Sequence, residues 1–364
     1  MKARLFELDL YKTILIFSMV SSHALETVFS RNFADFGFCA DSAFSVFIEV
    51  FVFLAGPLGF MVMMGILISL GSQREPSRQI RRGLLLLLVW LVLNAVRSVP
   101  TALLDSKGFA GNTVWERICS YAFINDIFFF AGLFFVFVGV LRRFGATDRV
   151  VFGVSALLYG ASLFIGDIGP LVPPSFHQAT AGFVRTGHWS SFPFIAWAII
   201  PSLGMLFGRV LTRFADDRRR VYAVLLAGSA LTLAALSPLL RSAGLFDGAS
   251  LLAMRGNPLE LHANGPLPLA CGLAMCGAIL SVSYFLSPVL GRGRLGTAIE
   301  YLGRGLPFTY VVQWVLIPPI ALAARSRLVP LPDGAVVAGC LAIAAASVAV
   351  AEAGKRTWRR FHVQ

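Results

Sequence analysis

The chain has 364 residues, 57% of them hydrophobic and 14% charged, with a formal net charge of +12. A mean hydropathy of +0.76 over that length means more apolar surface than one core can hide, which excludes a water-soluble globular protein and implies a polytopic membrane protein. Nor does the positive charge mark nucleic-acid binding, because Arg and Lys sit in short segments between apolar runs rather than on one continuous face.

Taken as runs of about 18 to 25 apolar residues, the chain predicts about ten spans, near 9–30, 43–71, 83–104, 119–141, 150–166, 192–211, 221–240, 267–290, 297–323 and 334–354. The opening MKARLFELDLYK has the positive flank of a signal peptide. The apolar stretch after it holds His23 and Glu26 and shows no small-residue cleavage site, so it reads as a retained first helix. Short basic connections (SQREPSRQIRRG, RRFGATDR, TRFADDRRR, GRGR and the final GKRTWRR) alternate with longer ones carrying fewer cations. The positive-inside rule then places both termini in the cytoplasm, which an even number of spans also requires. The expectation is an all-α, polytopic transmembrane helix bundle forming a single domain over 1–364.

The connections around GPLVPPSFHQ and RGNPLELHANGP are long and rich in turn formers. They read either as functional loops over a cavity or as solvated linkers. His177, His188 and His262 lie in these loops, where exposure is the plain reading, and His362 lies in a basic tail. The five cysteines show no metal-ligand spacing. Cys39 and Cys119 can face one side and pair, although small buried residues are the simpler account.

Polar groups at membrane depth carry the functional signal. At about 100° per residue, the eleven steps from Lys12 to His23 return to nearly the same helix face, roughly 16 Å further along the axis. Glu26, three residues beyond, shares that face, and Asp9 stands three before Lys12 and can pair with it. Two readings stand: a functional stripe, or an interfacial Asp9–Lys12 pair below a structural His23 hydrogen bond. Glu49, Asn94, Arg97, Asn125, Asp126, Tyr310 and Gln313 add polar groups in other spans. Such groups face protein interiors or wet cavities rather than lipid, so a polar cavity walled by spans one to four and nine is expected. No P-loop, HExxH, GxSxG or paired-cysteine motif occurs, so nucleotide hydrolysis, zinc chemistry and a serine elbow are without support.

LDLYKTILIFSMVSSH resembles the first helix of the acyltransferase-3 superfamily of integral membrane acyltransferases, patterned LDglRaiAillVvlyH. Asp9, Lys12 and His23 occupy its acid, base and histidine, with Lys for the usual Arg. IEVFVFLAG is similar to the family's second-helix pattern vdlFFvlSGf, matching Glu49 and Gly56 but with Ala55 for Ser, and SRQIRR resembles its RxxR segment through Arg78 and Arg81. FPFIAWAIIPSLGMLFGR and GRGLPFTYVVQW resemble segments of heparan glucosaminide N-acetyltransferase-like and YeiB-like membrane proteins, the latter through Gly303, Arg304, Tyr310 and Gln313. The likeness is strong over the first 85 residues and loose beyond.

The resemblance implies an enzyme, an inner-membrane acyltransferase. It would move an acetyl or similar group from cytoplasmic acyl-CoA, as co-substrate, to a hydroxyl or amine of an extracytoplasmic or lipid-linked glycan. It implies no metal and no other cofactor, no nucleic-acid partner, contact with membrane lipid, and the option of a homo-oligomer. His23 would act as base or acyl carrier beside Glu26, since histidine can serve as either. Arg78, Arg81 and Lys12 would hold the donor's phosphates. Asp9, Glu49, Asn125, Asp126, Arg304, Tyr310 and Gln313 would line the substrate cavity, with core hydrogen bonding as the bland reading for each. GHWSSFPFIAW reads either as a sugar-stacking platform or as an interfacial aromatic belt. The rival class is a transporter or flippase, which midplane charges and a central cavity also suit, although the two halves of the chain show no internal repeat.

Overall fold

A computed structural model describes residues 5–28, 56–71, 75–104, 113–173, 176–186, 192–242, 265–324 and 333–362. These residues form helices and connections, with no strand among them. In chain order the helices are α1 (Phe6–Thr27), α2 (Gly56–Leu70), α3 (Pro76–Leu104), α4 (Val114–Ala122), α5 (Ile127–Arg143), α6 (Asp148–Ile165), α7 (His177–Ala181), α8 (Phe194–Trp197), α9 (Ile199–Arg213), α10 (Arg218–Ser242), α11 (Pro266–Leu290), α12 (Gly293–Arg304), α13 (Leu306–Ala324) and α14 (Asp333–His362).

Among the described residues, eight stretches are long and apolar enough to cross a membrane: α3, α4 with α5, α6, α8 with α9, α10, α11, α13 and α14. The apolar α2 is shorter, and α1 carries Glu7, Asp9 and Lys12 near its start. The lipid-facing surface is visible directly. Along α3 the side chains of Leu84, Leu85, Leu88, Val92 and Val96 all stand exposed, as do Leu157 and Phe164 on α6. A contiguous apolar exterior of this kind belongs against hydrocarbon rather than water. The protein is an integral membrane helix bundle.

α1 is the axle of the bundle. It packs against α2, α11, α12, α13 and α14, and Tyr11, Leu15, Ile16, Val20 and Ala24 are buried along its length. That enclosure is why its ionisable residues are tolerated: neighbouring helices, not lipid, surround them. α2 meets α9 backbone to backbone. A Cβ on Gly65 would collide with the Pro201 carbonyl and one on Gly204 with the Val62 carbonyl, while Gly208 faces Ser69. The GMLFG of α9 is thus a small-xxx-small contact surface of the kind that lets membrane helices approach closely. Gly83 and Gly132 do the same between α3 and α5.

Two expected spans are interrupted. The run 119–141 breaks at 123–126, where Asp126 turns out of helical geometry and its Oδ1 accepts from the amides of Phe128 (2.9 Å) and Phe129 (3.2 Å), capping α5. The run 297–323 divides at Gly305 into α12, amphipathic and partly exposed, and the apolar α13. Apolar character runs across the first break, so hydropathy could not reveal it; at the second, α12 with Arg294, Glu300 and Arg304 gives way to the apolar α13.

One end of the bundle gathers the basic connections. Asp148, first residue of α6, pairs with Arg142 (2.7 Å) and Arg209 and accepts from Ser69, tying α5, α9 and α2 together there. Gly291, after α11, lies against Phe6, and Lys355 and Glu352 of α14 lie against Gly305. The start of α1 and the later part of α14 therefore share this basic end.

Candidate functional site

A cavity of about 900 Å³ opens among helix termini at the basic end, within the usual range for a small-molecule site. Its rim holds five cations: Lys12 from α1, Arg78 and Arg82 from α3, Arg218 from α10 and Arg304 from α12, with Gln79 beside them and Asp9 the acid of the lining. Several are partly neutralised. Lys12 pairs with Asp9 at 2.6 Å, Arg78 with Glu75 at 2.8 Å and Arg304 with Glu300 at 3.7 Å. Arg82 lies 4.7 Å over the Phe135 ring, an arrangement that positions the guanidinium without cancelling its charge. Deeper in, the walls become apolar: Met19, Phe60, Met63, Leu86, Ala131 and Phe135 lead to Phe128 and Tyr310. Charged mouth and apolar depth together suit a ligand with an anionic head and a less polar arm.

Tyr310 joins this cavity to a second, more enclosed cluster. Its ring stands edge-on to His23 with centroids 6.4 Å apart, and packs on Phe128 at 4.6 Å. Its hydroxyl donates to Asp126 Oδ2 at 3.3 Å. The same carboxylate oxygen lies 3.4 Å from Arg97 Nη2, and Arg97 stacks 4.6 Å over the ring of Trp314. His23 packs against that indole too, its ring tilted by 37° and the centroids 4.4 Å apart. α1 supplies the histidine, α3 the arginine, the α5 cap the aspartate, and one face of α13 supplies Tyr310, Gln313 and Trp314, spaced three and four apart as helix geometry requires. Trp90 and Asn94 of α3 both donate to the Ile124 carbonyl, at 2.9 and 2.8 Å, holding the break before α5 in place.

Hydrogen bonding in this cluster is incomplete. Both amide atoms of Gln313, Nδ1 of His23, Nε1 of Trp314 and Oδ1 of Asn94 are buried without a hydrogen-bond partner. Gln313 adjoins His23 and the Trp314 indole adjoins Tyr310, but these approaches fall short of hydrogen-bond geometry.

Of the residues singled out in the sequence, Asp9, Lys12, Arg78, Arg304 and Tyr310 line the cavity, and His23, Asp126, Tyr310 and Gln313 meet in the enclosed cluster. Arg81 is exposed and outside the lining; Arg82, four residues from Arg78 and on the same helix face, takes that place. Asn125 turns instead to the Gln178 carbonyl at 3.2 Å, seating the α7 segment on the bundle. His177 is absorbed in that segment's own turn, against the carbonyls of Gly169 and Val172. Cys119 is a free thiol. Glu49, Cys39, His188, Trp189 and His262 lie outside the described residues, as do the side chains of Glu26 and His362. In the sequence Arg82 and Arg218 read as topology charges, Arg97 reads only as one of the polar groups of the expected cavity, and Trp314 carries no signal. The i, i+4 spacing of Arg78 and Arg82 was the available signal. Comparison with protein-family models, curated proteins and solved structures finds no match to the chain.

Proposed function

We propose that the protein is a membrane acyltransferase that takes its acyl group from a cytoplasmic acyl-CoA and passes it, at His23, to a hydroxyl or amine of an extracytoplasmic or lipid-linked glycan. The observation that carries this reading is the cavity: cations ring its mouth at the basic end, its walls are apolar, and it ends at Tyr310, whose ring borders His23. By the positive-inside rule the basic end is cytoplasmic, and ten spans, the eight above with α1 and α2, return both termini to that side. Donor phosphates would meet Arg82, Arg218 and Lys12, and the pantetheine arm would run down the apolar wall. From Lys12 to His23 is roughly 16 Å along α1, of the same order as that extended arm.

At the inner end His23 has two chemical options. As base it takes the acceptor's proton while the oxygen or nitrogen attacks the thioester and the C–S bond breaks, the departing thiolate receiving a proton. As acyl carrier its ring nitrogen attacks first, the C–S bond breaks and the CoA thiolate leaves to take up a proton; the acceptor then attacks the acyl carbon, the N–acyl bond breaks, and the released imidazole takes the acceptor's proton.

Purified protein assayed with short-chain acyl-CoA donors tests the reading. Wild type is expected to turn the donor over, and His23→Ala to lose about 10²–10⁴-fold in rate while CoA binding persists. If wild-type protein neither binds nor consumes any acyl-CoA, the enzyme reading fails and the polar cluster becomes a transport path.

A further inference from the structure

The enclosed cluster holds more hydrogen-bonding capacity than it uses. Arg97 is 6% exposed, and its recorded polar contact is the 3.4 Å approach to Asp126. Asp126, by contrast, is fully engaged: two backbone amides at Oδ1, then the Tyr310 hydroxyl and Arg97 at Oδ2. Under the guanidinium lies the Trp314 ring, whose indole N–H is unpartnered, and the neighbouring residue on α13, Gln313, is 0% exposed with an unpartnered amide beside His23. Buried polar groups in native proteins are normally satisfied, and each exception calls for a partner. Gln313 Oε1 and Asn94 Oδ1 are unspent acceptors; the unspent donors, the Gln313 amide and the Trp314 indole N–H, go with one fixed positive charge at Arg97. Oxyanions need that combination, and Arg binds carboxylate and phosphate with a planar fork that a sugar hydroxyl does not exploit.

We propose that Arg97, Gln313 and Trp314 form a binding site for an oxyanion, a carboxylate or a phosphate, carried by the acceptor of the acyl group. The assignment of that oxyanion to the acceptor rests on the transferase reading; the site itself does not. Trp314 carries His23 and Arg97 on the same ring, so an acidic group held at Arg97 brings the rest of its molecule beside the histidine. The acceptor class is then an acidic sugar rather than a neutral one.

Binding of three probes to the purified full-length protein in detergent, without acyl-CoA, tests this: glucuronate, glucose 1-phosphate and glucose. At least one acidic sugar is expected to bind and glucose not to; preference between the two acids separates carboxylate from phosphate. Arg97→Gln should weaken the acid by about tenfold or more, and Arg97→Lys should retain part of the affinity. Asp126→Asn keeps a capping side chain and removes the neutralising charge, so it should tighten acid binding by roughly tenfold. A purely structural Arg97–Asp126 pair predicts no such gain. Glucose binding as well as the acids, unchanged affinity in Arg97→Gln, or no binding of either acid overturns the site. Because no donor is present, that failure is separate from a failure of acyl-CoA turnover.

Discussion

Trp314 has two unlike neighbours, an imidazole at 4.4 Å and a guanidinium at 4.6 Å, and so fixes how far apart the proposed chemistry and the proposed anion site stand. Trp314→Phe keeps a ring on α13 and removes the indole N–H; it should disturb turnover far less than Trp314→Ala, which withdraws the support from both side chains, and steady-state rates of the two variants check this. At the cavity mouth the separation runs by charge. Arg218→Gln should raise the donor Kd by about tenfold, the worth of one charge-assisted hydrogen bond, while Arg81→Gln, exposed and off the lining, should leave it unchanged. Isothermal titration with CoA distinguishes them, and the Arg218 effect should shrink as salt rises.

Between elements, the tight contacts and the Asp148 node make the sharpest expectations. Gly204→Val places two methyl groups where the Val62 carbonyl stands; α2 and α9 must separate, and stability should fall by more than about 2 kcal/mol, read as a lowered unfolding midpoint in detergent. Asp148→Ala leaves Arg142, whose side chain is 8% exposed, without its carboxylate. Removing one partner of a buried pair costs about 3–5 kcal/mol, and the half-exposed Arg209 brings the expected loss to the lower part of that range. These nodes also show what the sequence could and could not disclose. The α1 stripe was legible because its spacing is local: Asp9, Lys12 and His23 recur on one helical period, and the structure keeps Asp9 beside Lys12. The Asp148 node was not, because its partners come from three helices up to 79 residues away. Arg97 was visible as a charge at depth, but only folding brings it to Asp126 and Trp314. The break at 123–126 was hidden because it lies inside one apolar stretch, and hydropathy measures partition into lipid, not the backbone path taken through it.

For the protein entire, the arrangement predicts sidedness. With Cys39 and Cys119 replaced by Ser, the remaining thiols Cys271, Cys276 and Cys340 are buried, and single new cysteines report position. Phe144→Cys, at the basic end, should react with a membrane-impermeant maleimide only in inside-out vesicles, and Ala179→Cys, in α7, only in right-side-out ones; the opposite pattern would reverse the proposed route of the donor. The axial place of α1 has a further consequence, for biogenesis. Most of its neighbours, α11 to α14, are translated some 240 or more residues later, a delay on the order of tens of seconds at ordinary ribosomal speeds. Throughout that interval Glu7, Asp9, Lys12 and His23 have none of those four helices to enclose them. The nascent α1 must therefore wait inside the insertion machinery or at the bilayer surface, and a chain stopped before Pro266 should be a substrate for membrane quality-control proteolysis rather than a stable fragment.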